Sequence, residues 1–88
     1  MGERPEEIVH DLKCWPNYYT AIYEGLKTFE VRKDDRGYQI GDVLLLREWD
    51  AFRESYTGRQ GRWKVRYLLR DHHAITSGYV VMAIEPVP

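Results

Sequence analysis

Lys27, Glu30 and Arg32 lie in the string Gly25-Leu26-Lys27-Thr28-Phe29-Glu30-Val31-Arg32, which sets one carboxylate between two cations. On an extended chain Glu30 and Arg32 share a face roughly 6 to 7 Å apart, with Lys27 just ahead of them. A carboxylate flanked in this way can meet the Watson–Crick edge of a base while the cations take phosphate or carbonyl oxygens. The same residues can equally form a surface ion pair, worth about 0 to 1 kcal/mol. In a catalytic reading, Lys27 is the nucleophile or general base and Glu30 or another carboxylate its partner. A nucleophilic lysine must then be held neutral by burial or a neighbouring cation.

Other polar residues have two readings each. His10 and Lys13 precede the helical segment; His10 shares its face with Leu12, so it is both a candidate contact and a core-edge histidine. Asp35 and Arg36 fall in a turn, where Asp usually caps its own backbone, and Arg36 is the better candidate for contact with a ligand. Arg62, Lys64 and Arg66, extended by Arg59 and Arg70, alternate with Trp63, Val65 and Tyr67. Such a stripe either faces phosphates or is a solvated strand face that guards a sheet edge. Trp15, Tyr18, Tyr38, Trp49, Tyr56 and Tyr79 are candidates for base stacking, with Trp15 preferred for its place beside the helix start. Most aromatics in so small a chain are needed for the core.

His72 and His73 are adjacent, and side chains of neighbouring residues on an extended segment point apart, so no metal site and no cofactor are expected. A Gly-rich phosphate loop and a Gly-x-Ser-x-Gly elbow are both missing, which favours binding over hydrolysis.

The elements that position these residues can be read from periodicity. The 88 residues make one domain, 1–88, with residues 1–5 and 86–88 expected as tails. Residues 7–12 alternate as a short strand. Pro16 opens a helix whose apolar face carries Tyr19, Ile22, Tyr23 and Leu26, with Gly25 as its stop signal. From Thr28 the period becomes two, placing Phe29 and Val31 on one face and Thr28, Glu30 and Arg32 on a polar one. Turns follow at 34–37 and 40–42, then a strand over 42–47 that is apolar on both faces. Residues 55–60 are expected as a hairpin tip around Thr57-Gly58, followed by strands over 62–69 and 79–85 and a loop between them. The pattern implies a mainly β, α+β fold: a small, partly closed barrel of five or six strands with one main helix.

Composition narrows the function classes. The chain is 43% hydrophobic, with three Trp, seven Tyr and two Phe, enough to fold around a core without disulfides. Cys14 is the sole cysteine, which excludes an intrachain disulfide and fits a reducing, cytoplasmic setting. A net charge of -1 offers no global attraction for a polyanion, but Arg53, Arg59, Arg62, Lys64, Arg66 and Arg70 are opposed locally by Glu54 alone. The apolar runs are too short for a membrane span, and the first residues hold no apolar leader, so no membrane partner is expected. Oligomeric state stays open.

From His10 to Glu48 the chain reads HDLKCWPNYYTAIYEGLKTFEVRKDDRGYQIGDVLLLRE. The ordered combination of His-x-Leu-Lys, a Pro-led helix, Gly-x-Lys-Thr-Phe-Glu-x-Arg, Asp-Arg and Gly-Asp resembles a family of small phage and bacterial proteins of unknown function. That family lies in the ASCH group of the PUA-like superfamily. The resemblance implies a β-barrel with a helix beside a cleft, Lys27, Glu30 and Arg32 as cleft residues, and RNA or a modified nucleotide as partner. An enzymatic branch that looks similar cleaves the acyl amide of N4-acylated cytidine with a lysine, a threonine and a later glutamate. Lys27 matches its lysine, but Glu30 stands at the threonine position.

The expectation is therefore an RNA- or nucleotide-binding domain. Its cleft residues are Lys27, Glu30 and Arg32, joined by Arg36, Lys13, His10 and Trp15, and its backbone guide is Arg62, Lys64 and Arg66. The alternatives are a hydrolase of the amidohydrolase or ribonuclease type, and a phage-type accessory module that binds another protein.

Overall fold

Alternating burial is the organising pattern of the first strand. In the computed structural model, which describes residues 7–88, β1 spans Val9–Cys14 and turns His10, Leu12 and Cys14 inward. It starts and ends two residues later than the alternation suggests. Helix α1, Pro16–Tyr23, has its proline in the first turn, where a missing N–H costs nothing, and buries Tyr19 and Ile22. It ends on Gly25 at φ 79°, whose N–H donates to the Ile22 carbonyl while those of Leu26 and Lys27 both donate to the Ala21 carbonyl. This left-handed cap suits glycine and sets the chain's exit into the next strand. Tyr23 and Leu26, expected on the apolar face, are exposed instead: the helix stops at Tyr23, and Leu26 lies beyond its end.

The remaining strands are β2 (Phe29–Lys33), β3 (Val43–Asp50), β4 (Ser55–Leu69) and β5 (Tyr79–Pro86). They form one five-stranded sheet in the order β1-β3-β4-β5-β2, with β1 parallel to β3 and every other pair antiparallel. The fold is thus mainly β with one short helix. The sheet curls until its two edge strands face each other as a half-barrel: Arg32 on β2 donates to the Lys13 carbonyl on β1 at 2.7 Å. Its inner face carries the core of Leu12, Leu44, Leu46, Trp63, Val65, Val80, Met82 and Ile84, closed by Tyr19 and Ile22 of the helix. Each fully buried aliphatic side chain there contributes about 1.5 to 3 kcal/mol. Trp63 lies over Gly61, where an added Cβ would stand 2.8 Å from the indole.

Three further expectations from the sequence are corrected. The β3–β4 turn lies at residues 51–54, not 55–60, and Thr57-Gly58 marks a bulge inside the long β4: Thr57, Gly58 and Arg59 stand opposite Glu48. Gly58 serves it at φ 98°, and the buried Glu48 carboxylate accepts Thr57 Oγ1 at 2.7 Å and Arg59 at 3.5 Å. A second irregularity between Val65 and Tyr67 breaks the alternation, so Tyr67 faces out while Leu68 packs against the core. Pro86 closes β5 and Val87 N–H donates to the Arg62 carbonyl, so the sheet runs into the stretch expected as a tail. Residues 1–5, the other expected tail, lie outside the described residues. On β2 the two faces separate as the alternation suggests, and it is the polar one that turns inward: Phe29 and Val31 are exposed and Glu30 is buried.

Candidate functional site

The inward polar face of β2 builds the site. A glutamate facing the inside of a small barrel must be compensated, since an unpaired buried carboxylate costs several kcal/mol. Glu30 is 3% exposed, and Lys27 Nζ donates to its Oε1 at 2.7 Å while Arg32 Nε donates to its Oε2 at 2.7 Å. Lys27 arrives there because the glycine cap of α1 ends the helix two residues earlier; its Nζ also donates to the Phe29 carbonyl at 2.7 Å. Arg32 comes two residues after Glu30 on the same strand face. Two cations against one carboxylate leave one net positive charge.

The network lies along the seam between the sheet's edges. Thr28 and Asp34 bond toward β5, so Phe29 and Val31, between them in register, turn their backbone groups to the seam. Asp11 and Lys13 do the same from β1, where the Ile8 carbonyl bonds toward β3. β1 and β2 run antiparallel across this gap but do not pair. Side chains close it instead: Arg32 Nη2 reaches the Lys13 carbonyl at 2.7 Å, and Arg36 Nη1 reaches the Asp11 carbonyl at 3.3 Å.

A groove of about 600 Å³ opens over the seam, floored by Lys27, Glu30 and Arg32 and walled by Trp15, Tyr18 and Phe29. Trp15 and Tyr18 are half-exposed, and Lys27 Nζ lies 5.2 Å from the Tyr18 ring and 4.8 Å from that of Phe29. Cys14 lines the groove from below. Burial, with Glu30 beside it, pushes its thiol up from 9.0 to about 11, so it is protonated and unreactive near neutrality.

The structure thus brings Lys27, Glu30, Arg32 and Trp15 together, with Arg36 further along the seam. Lys13 contributes only its carbonyl: its ammonium sits on the other face of the sheet, 3.8 Å from the Trp49 ring centroid. His10 is separate. It is buried, bonded through Nε2 to Asp42 Oδ2 at 2.8 Å and packed edge-on against Tyr38, while Asp42 also caps the Gln39 N–H. That arrangement pins the 39–42 bend to β1 and leaves the ring no ligand-facing role.

The basic stripe is also apart from the groove, and most of it is paired. Arg62 bonds Glu7, Arg66 meets Glu85 at 3.2 Å, and Arg70 clasps Asp34 at 2.7 Å and the Tyr38 carbonyl at 3.0 Å. Among the described residues Lys64 makes no ion pair. His72 and His73, expected to point apart, stack at 4.4 Å because they occupy a turn in which His72 Nδ1 accepts the Ala74 N–H. No group of three or more metal-ligating side chains occurs among the described residues.

Reading from sequence missed Phe29 as a wall residue. The available signal was the two-residue spacing itself: if Glu30 and Arg32 face inward together, Phe29 and Val31 must face outward.

Residues 9–84 match the model of a domain of unknown function, DUF3850, and the chain belongs to that family. It is also similar to an uncharacterized 12.9 kDa protein encoded in the GpA 3′ region of Escherichia phage P2, with 40% identity over 52 residues. The match covers 59% of this chain and 46% of the phage protein, so the chain spans about half the length of that relative. No helix among the described residues is long and apolar enough to cross a membrane.

Proposed function

We propose that the seam groove binds RNA or a nucleotide, with Lys27, Glu30 and Arg32 reading polar groups at its floor and Trp15, Tyr18 or Phe29 stacking on a base. The observation that carries this reading is a buried carboxylate held between two cations at the bottom of an aromatic-walled groove. Aromatic faces stack on any base at about 1 to 3 kcal/mol each. A net positive floor adds attraction for an anionic ligand. The curled sheet with a helix over the cleft agrees with the PUA-like, ASCH-type barrel that the sequence resembles, and we adopt that assignment as part of the proposal, with a cytoplasmic setting.

Hydrolysis is less well supported. A nucleophilic lysine must be free to swing onto its substrate, and here Nζ is held as a donor to both the Phe29 carbonyl and Glu30. The paired arginines of β4 act at most as a peripheral guide for a phosphate backbone.

Titrating labelled single-stranded RNA, duplex RNA and DNA at two salt concentrations tests the reading. Lys27→Ala, which keeps the Glu30–Arg32 pair, and Trp15→Ala should each weaken binding about tenfold or more. Wild-type protein that binds none of these polymers and no mononucleotide would sink it.

A further inference from the structure

We infer that the base read by the groove is one with an unsubstituted imide edge, uracil or thymine. The inference rests on the nucleotide-binding reading and follows from the hydrogen-bonding capacity left over at the floor. Each Glu30 oxygen accepts one charged donor, so each keeps a second lone pair. Lys27 Nζ makes two bonds and has a third N–H. Arg32 uses Nε and one N–H of Nη2, which leaves both hydrogens of Nη1 unengaged among the described residues. Along the floor the pattern is donor, acceptor, donor.

The imide edge of uracil or thymine presents the complement: a carbonyl, an N–H and a second carbonyl. Its N–H meets the carboxylate and its two carbonyls meet the cations. Cytosine sets an unprotonated ring nitrogen and its lone pair against Glu30, and its amino group against a cation. Adenine makes the same two mismatches. Guanine matches one carbonyl and the ring N–H but turns its amino group toward the remaining cation. A site whose buried polar groups are left unpaired by the wrong ligand discriminates strongly, because the unmade bonds are not replaced by water. Charge alone cannot select among bases, since every nucleotide carries the same phosphate, whereas only the imide fills all three positions.

The probes are uridine 5′-monophosphate, cytidine 5′-monophosphate and 3-methyluridine 5′-monophosphate, with oligo(U) and oligo(C), measured by calorimetry on the wild-type chain. The methyl group removes the imide N–H and leaves both carbonyls. Uridine bound about 10- to 100-fold more tightly than the other two is the expected result, the range a well-formed bidentate base contact gives. A preference seen only with oligo(U) over oligo(C) also supports the imide and assigns the base to a strand rather than a free nucleotide. Equal affinity for all three monophosphates together with equal affinity for both oligomers overturns the inference and leaves nucleotide binding standing. Binding of no probe overturns both. Glu30→Gln supplies a second reading: in a variant that keeps the wild-type circular dichroism spectrum, the uridine preference should disappear.

Discussion

Arg32 and Arg62 show two uses of the same side chain within one small sheet. Arg32 ties a buried carboxylate to the opposite sheet edge, with donors to Glu30 and to the Lys13 carbonyl, and its guanidinium is largely shielded. Arg62 pairs with Glu7 where both partners are about half exposed. Water competes for the second pair and hardly at all for the first, so the attraction in the seam is far less screened. The lesson is that a run of positive charge in a sequence marks a surface, whereas a single carboxylate forced inward between cations marks a constructed site. The contrast extends to His10 and Asp42, a buried pair whose remaining groups are closed off by Tyr38 and the Gln39 N–H. Glu30 faces a groove instead.

The comparison breaks most readily at Glu30. Glu30→Ala leaves Lys27 and Arg32 facing each other with little solvent, and should cost about 3 kcal/mol or more of stability, read as a fall of roughly 10 °C or more in Tm. A loss below about 1 kcal/mol would place the pair in the same class as Arg62–Glu7. Next comes Cys14. Its thiol, raised to about 11 from 9.0, should react with iodoacetamide at pH 8 on the order of 100-fold more slowly in the folded protein than in urea, as the thiolate fraction dictates. The sign follows from the same shift: the unfolded chain releases this proton first, so Cys14 lowers stability as pH rises from about 9 to 11 and has no effect below that window.

Arg32→Lys sharpens the comparison further, because an ammonium cannot hold Glu30 and the Lys13 carbonyl in one planar fork. Urea denaturation should register a loss of about 1 to 2 kcal/mol, and an unchanged midpoint would mean that the seam does not depend on the clasp. The smallest effect belongs to the stripe. Arg62→Ala and Arg66→Ala should each change stability by less than about 1 kcal/mol. In the RNA titrations each should lower the slope of log affinity against log salt by about 1 if it touches phosphate, and leave it alone otherwise.

Much of this protein is written in local patterns. Pro16 and Gly25 mark the helix ends, the alternation of Ile8, His10 and Leu12 marks a strand to within two residues, and the Lys27, Glu30 and Arg32 spacing is enough to group those three residues. Hydrophobic period and turn chemistry depend only on near neighbours, so they can be read without knowing what packs where. Thr57-Gly58 shows the limit. A glycine at positive φ serves a bulge as well as a hairpin, and only the pairing of Glu48 across the strands decides between them.

The sequence by itself determined the β-rich class, the helix beside the strand, and the three charged residues that converge. Tertiary structure alone decided which face of β2 points inward, that Arg32 and Arg36 close the seam where backbone pairing stops, and that Lys13 and His10 face away from the groove. The physical reason is that a strand's alternation defines two faces without saying which is inside. On β2 the usual rule is overridden, because Glu30 brings two counter-charges with it and can be buried with its own charge compensated, leaving Phe29 and Val31 to line the outside.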